Sequence, residues 1–270
     1  MTAPKRFRDI RLPPSWRPAV GRAVGQTRLF GVPMRRSRAF RPMGMWWRRV
    51  GRSGFRPSIG KGRGSVRCCF VGDSFVNGVG DERALGWTGR TVQRARQAGI
   101  DVTAYDLGIR RDTSADVLAR WKGEVSARFP RDVEHRLLFA FGANDCATAD
   151  PRAPGIARLP PEATLANADL ILAGAVGLAP TVMIGPAPII DDEAADARIG
   201  RLERELAAVA ERRDVPFLPI FEWCRGCRAW TEGAAKNDGT HPDGSGYAAL
   251  AGYVLDWRPF RRWMGLDPGP

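Results

Sequence analysis

The strongest constraint on this chain is an alternation. Five short apolar runs stand out: RCCFVG at 67–72, VTAYDLG at 102–108, RLLFAFG at 136–142, TVMIGP at 181–186 and PFLPIF at 216–221. Helical patterns separate them, around 86–99, 113–128, 162–178 and 193–213, and a last one spans about 243–256. Each helical stretch is long enough to cross back over a sheet, and near-continuous apolar runs are the mark of strands covered on both faces. The pattern predicts a three-layer α/β/α sandwich, flavodoxin-like, with about five parallel strands. No internal repeat is apparent.

What ends the strands is more informative than the strands themselves. Gly72, Gly108, Gly142 and Gly185 close the runs, and three are followed by polar turns: Asp73-Ser74, Ile109-Arg110 and Ala143-Asn144. Open parallel sheets bind ligands outside the carboxyl ends of their strands, so these turns are expected to meet in one crevice.

Charge divides the chain. Residues 1–67 hold 18 Lys and Arg against the single acid Asp9, whereas residues 68–270 hold 24 basic and 28 acidic residues. The net charge of +13 therefore belongs to the first quarter. That quarter is rich in Arg, Pro and Gly and has no period that would bury a face, so residues 1–65 are expected to be a basic extension without a core, preceding a domain at 66–264. Such a segment, with Trp46 and Trp47, suits nonspecific contact with nucleic acid or an anionic membrane. It has no apolar core of secretory type, which points to a cytoplasmic protein. A competing expectation is that translation starts at Val66, read as Met from a GTG codon, and that residues 1–65 are not translated.

Five cysteines are too scattered for a disulfide framework. Cys224 and Cys227 form one C-x-x-C, read as a small buried pair in a loop, because a zinc site needs two more ligands. Residues 170–190 carry no charge over 21 positions, but Pro180, Pro186 and Pro188 interrupt them. They read as a helix end, a turn and a buried strand, and no transmembrane segment is expected.

Ser74 needs a base, and the chain has two histidines. His135 precedes the third strand and so lies at the wrong end of the sheet. His241, in NDGTHPDGSGY, follows the fifth strand and precedes the last helix, at the right end. Asp238, three residues earlier, is placed to fix its tautomer, with Asp243 as a rival acid or as a helix cap. The N–H groups of Ser74 and Gly108 and the amide of Asn144 are candidate donors to a developing oxyanion. Phosphate-loop readings fail: GDSFVNGVGDER has Arg83 where a dinucleotide fingerprint needs glycine, and no Gly-Lys-Ser/Thr exists.

Taken together, GDS at 72–74, Gly108 in YDLGIRRDTSADVLARW, GAND at 142–145 and DGTH at 238–241 resemble the four blocks of the SGNH, or GDSL, hydrolase family, over about residues 66–260. The resemblance implies a serine esterase or lipase with Ser74 as nucleophile, Asp238 and His241 completing a triad, and Ser74, Gly108 and Asn144 forming the oxyanion hole. It implies no metal or organic cofactor, and a small-molecule ester substrate from a range that includes short acyl esters, lysophospholipids, thioesters and acetylated sugars. Two positions depart from the family pattern: Phe75 stands where leucine is common, and Asp106 where asparagine is common two residues before the glycine. Phe75, Arg110 and Arg111 are candidate substrate-binding residues, the arginines for an anionic substrate or else as solvated or ion-paired surface charges. Two other functions remain open from sequence: acyl transfer on the same fold, and a basic binding protein with an idle hydrolase domain.

Overall fold

The structure, a computed structural model, describes residues 65–153 and 155–267. Apart from Ser65, the basic extension and the expectations attached to it lie outside the described residues.

Five strands form one parallel sheet: β1 Val66–Gly72, β2 Val102–Gly108, β3 Glu134–Ala140, β4 Thr181–Ile184 and β5 Phe217–Leu218, in the order β2-β1-β3-β4-β5. The chain steps from β1 to β2 and then returns across β1 to β3, so the direction of winding reverses between β1 and β3. Gly72 stands opposite Gly108 on one side and Ala140 on the other, which levels the carboxyl ends of β1, β2 and β3. That is where an open α/β sheet presents its crevice.

Ten helices accompany the sheet: α1 Ser74–Asn77, α2 Gly86–Gln97, α3 Ser114–Ser126, α4 Ala143–Cys146, α5 Pro161–Val176, α6 Glu193–Arg212, α7 Phe221–Gly226, α8 Arg228–Lys236, α9 Gly244–Asp256 and α10 Arg258–Met264, all among the described residues. One group packs α2 and α10 around α9; the other packs α3 and α6 around α5. The strands present large side chains to both groups. Phe70 of β1 meets Trp87 of α2 and Trp263 of α10 edge-on, each at 6.0 Å, while Phe139 of β3 meets Trp121 of α3 at 5.4 Å. Val71 is the register partner of Phe139, so Phe70 and Phe139 fall on opposite faces, as alternation along a strand requires.

The five strands and five longer helices expected from the alternation are present, with differences that have local causes. β5 is two residues long because Pro216 and Pro219 flank it and proline cannot donate to a ladder. The single turns α1 and α4 are too short to show a helical period. α7 and α8 lie between β5 and His241, so Cys224 sits buried in α7 and Cys227 at the α7–α8 junction rather than in a loop; both thiols are free. The apolar stretch 170–190 divides into the end of α5, a turn at Ala179-Pro180 and β4. Among the described residues no helix is long and apolar enough to cross a membrane.

Candidate active site

The nucleophile candidate is set by the turn that leaves β1. Asp73 caps α1 by accepting the Phe75 N–H at 2.9 Å, which starts a helical turn immediately after the strand. Ser74 is the first helical residue, so its N–H has no carbonyl one turn back to bond. Its side chain is nearly buried. Burial pushes the Asp73 carboxyl up to about 7, against the pull of the Phe75 N–H and with added repulsion from Asp145 and Asp112.

His241 reaches Ser74 from the far end of the sequence. Its Nε2 lies 2.8 Å from Ser74 Oγ and its Nδ1 lies 2.8 Å from Asp238 Oδ2. Asp238 Oδ1 accepts the N–H groups of His241 at 2.8 Å and Thr240 at 3.1 Å, so the carboxylate folds its own loop around itself. Burial opposes the charge of Asp238, but the His241 N–H, the His241 ring and the Thr240 N–H outweigh it and hold the carboxyl down at about 2. An ionised carboxylate only accepts, so the imidazole carries its proton on Nδ1 and leaves Nε2 to accept from the serine hydroxyl.

Two hydrogen bonds tie this loop and α9 to the serine turn. Asn237 Nδ2 donates to Gly80 O and to His241 O, each at 3.1 Å. Tyr247 Oη donates to Val79 O at 2.8 Å. Gly80, at φ 95°, lets the two loops touch: a Cβ there would lie 2.7 Å from Pro242 O and 3.1 Å from His241 Cβ. Asp243 is the cap of α9, accepting the Ser245 and Gly246 N–H groups, rather than a partner of His241.

Gly108 departs from its expected role. Its N–H is already bonded to Asp106 Oδ1 at 2.9 Å. An added Cβ would lie 2.4 Å from Asn77 N and 2.6 Å from Asp73 O, so Gly108 is the seat on which the α1 turn rests, not a free donor. The free donors lie just beyond it. Ile109 N–H bonds Gly72 O at 3.0 Å, and Asp112 N–H returns to Ile109 O at 3.2 Å, closing a four-residue turn with Arg111 at φ 73° in its third position. This is the left-handed site that a type II turn usually gives to glycine. Among the described residues neither the Arg110 nor the Arg111 N–H donates a hydrogen bond.

Asn144 lies beside this turn, one N–H of its amide donating to Asp112 O at 3.0 Å and the other left available. Sequence reasoning missed the residues that hold the two together. Buried Asp145 accepts Ser114 N–H at 2.9 Å, Thr164 Oγ1 at 2.9 Å and Ser114 Oγ, tying the start of α3 to α4. Arg120 donates to Gly72 O at 2.8 Å and to Asp112 Oδ2 at 2.6 Å. Asp145 stands next to Asn144 in sequence, which was the one available signal; nothing local marks Arg120 or Asn237.

The remaining candidates separate. Phe75 is 7% exposed, its ring packed against His241 and Trp230 at centroid distances of 5.0 and 5.9 Å. Arg110 is exposed and donates to Asp238 Oδ2 at 3.3 Å, at the mouth of the site. Arg111 is exposed, and its carbonyl accepts from Arg158 at 2.9 Å. His135 lies at the start of β3 and bonds Pro130 O, at the other end of the sheet. No group of three or more His, Cys, Asp or Glu that could hold a metal ion occurs among the described residues.

Solved structures share this fold at low identity. A lipase/acylhydrolase from Enterococcus faecalis is 19% identical with a TM-score of 0.59, over 76% of this chain and 98% of that one. A mutant of the acetylxylan esterase Axe2 from Geobacillus stearothermophilus is 20% identical with a TM-score of 0.58, over 76% and 96%. The psychrotrophic esterase EstA from Pseudoalteromonas sp., in a structure inhibited by monoethylphosphonate, is 16% identical with a TM-score of 0.55, over 74% and 98%. No curated protein is similar in sequence at a significant level. The GDSL-like lipase/acylhydrolase family model matches residues 70–249, a span that begins within β1, takes in the serine turn and runs through the His241 loop into α9. With the match and the fold in agreement over that span, the chain belongs to the GDSL-like lipase/acylhydrolase family.

Proposed function

We propose that this protein is a serine hydrolase that cleaves carboxylic esters through a covalent acyl-enzyme. One observation carries the reading: the unbroken hydrogen-bonded series Ser74 Oγ, His241 Nε2, His241 Nδ1 and Asp238 Oδ2, each link 2.8 Å. Those three side chains, in those roles, are what a weak hydroxyl nucleophile requires. The acetylxylan esterase Axe2 has catalytic mutants at a serine, an aspartate and a histidine, the aspartate three positions before the histidine, as Asp238 stands to His241.

In this mechanism Ser74 Oγ attacks the ester carbonyl as His241 Nε2 takes its proton. The carbonyl oxygen becomes an anion held by the Ser74 N–H, the free N–H of Asn144 and an N–H of the Ile109–Asp112 turn, which takes the place expected for Gly108. Asp238 stays ionised and stabilises the imidazolium. Collapse of the tetrahedral adduct breaks the ester C–O bond, and His241 hands the proton to the departing alcohol. A water then gives its proton to His241 and attacks the acyl carbon, which releases the acid and returns the proton to Ser74.

The test is turnover of a p-nitrophenyl ester series from acetate to palmitate by wild type and Ser74→Ala. Wild-type turnover lost in Ser74→Ala is the expected result. Folded wild type without activity on any member, or activity that survives in Ser74→Ala, would refute the assignment.

A further inference from the structure

His241 is 6% exposed, and both of its ring nitrogens are engaged, by Asp238 and by Ser74. These bonds lie in the ring plane and leave its faces to be held by something else. The Phe75 ring stands with its centroid 5.0 Å from that of the imidazole, inclined at 37°. Phe75 is itself held from behind: it stacks on buried Trp230 at 5.9 Å and 26°, and Trp230 meets Tyr247 edge-on at 5.7 Å. Tyr247 closes the series by donating to Val79 O, in the turn that follows Ser74. The aromatic column is therefore anchored to the same turn as the nucleophile, and its last member rests against the base.

We propose that Phe75 is a positioning residue for His241, its ring holding the imidazole in line between Ser74 and Asp238 and stabilising the imidazolium formed in turnover. An aromatic face attracts a cation whose centre lies within about 6 Å, and the attraction strengthens where water is excluded. The neutral imidazole gains less, so the contact favours the charged form that arises after proton transfer. Among the described residues, the charged groups that reach His241 or its loop include Asp238 on that loop, Asp73 beside Ser74, Arg110 from the turn after β2 through Asp238, Asp191 before α6 through Thr240, and Asp81 and Glu82 at Gly244. None of the hydrogen bonds of Asp238, Arg110 and Asp191 involves the Phe75 side chain. The kinetic half of this inference rests on the hydrolase reading; the protonation half does not.

The chain has two histidines, so both imidazoles can be followed by NMR, and His135 serves as an internal reference because its ring packs on Phe129 at 4.2 Å, far from Phe75 in the fold. The experiment titrates both ring-proton resonances in wild type, Phe75→Leu and Phe75→Met, the second variant covering the case in which the first folds poorly. In the variants the His241 transition is expected at lower pH by about half a pH unit, with His135 unmoved. The acid limb of kcat/KM for a neutral ester should move in the same direction, with kcat reduced roughly threefold and KM unchanged. A His241 transition that stays in place in both folded variants would overturn the proposal, as would a fall in kcat with an unmoved acid limb. The titration needs no substrate, so absence of ester turnover in wild type would remove the hydrolase reading while the titration still decides the contact.

Discussion

Asp73 offers a quantitative test of how the serine turn is built. Its carboxyl is buried and sits at about 7 in the folded protein, whereas an unfolded aspartate titrates near 3.9. Below about pH 4 both states hold the proton and burial costs nothing extra. Between these values the folded protein keeps a proton that the unfolded chain releases, so stability falls as pH rises and the loss is complete above about pH 7. About three pH units at 1.36 kcal/mol each come to on the order of 4 kcal/mol. Asp73→Asn removes the titration while its amide oxygen still caps the Phe75 N–H. The variant should match wild type at pH 4 and exceed it by a margin that grows through pH 7 and then levels. Urea unfolding of both proteins from pH 4 to 9, followed by tryptophan fluorescence, measures that difference, with titrating groups not coupled to Asp73 cancelling. A margin independent of pH, or one that widens toward acid, would refute the reasoning.

Two further substitutions probe the loop after β2. Gly108→Ala drives a Cβ into the backbone of the α1 turn, 2.4 Å from Asn77 N, and should cost about 2 kcal/mol in thermal unfolding and lower kcat as Ser74 is displaced; wild-type stability and turnover would show that Gly108 is no such seat. Arg111→Gly relieves a left-handed backbone at φ 73°, so it should raise stability by about 0.5–1 kcal/mol after the entropy of an added glycine, with neutral-ester turnover retained. A less stable variant, or loss of neutral-ester turnover, would contradict that account.

The meeting of Ser74, His241 and Asp238 was legible because each carries a local mark: Ser74 at the end of an apolar run, Asp238 at a fixed short distance from His241, His241 at the right end of the sheet. The parallel fold was legible for the same reason, since alternation is a property of neighbours. Gly108 and Arg111 show where that legibility stops. A glycine after a strand is visible in sequence, but whether its N–H is free depends on the Asp106 side chain, and an arginine held left-handed has no signature in composition. The packing of Phe75 against His241 has no local mark because it depends on Trp230, which belongs to an unread helix. Asp145 and Arg120 join segments that meet only in the folded sheet, and no spacing rule reports such a meeting.

The hydroxyl of Ser74 and the imidazole that would activate it stand 167 positions apart. In a chain synthesised from its amino end, the serine therefore emerges as an ordinary alcohol and stays one while β2, β3, β4 and β5 are added. On the proposed mechanism, reactivity arrives only when the Asn237–His241 loop has been made and Tyr247 has closed against Val79. Under the hydrolase reading, nascent chains and fragments ending short of that loop are chemically silent toward the esters around them, and catalytic power is a reward for completing the fold rather than a property of any segment.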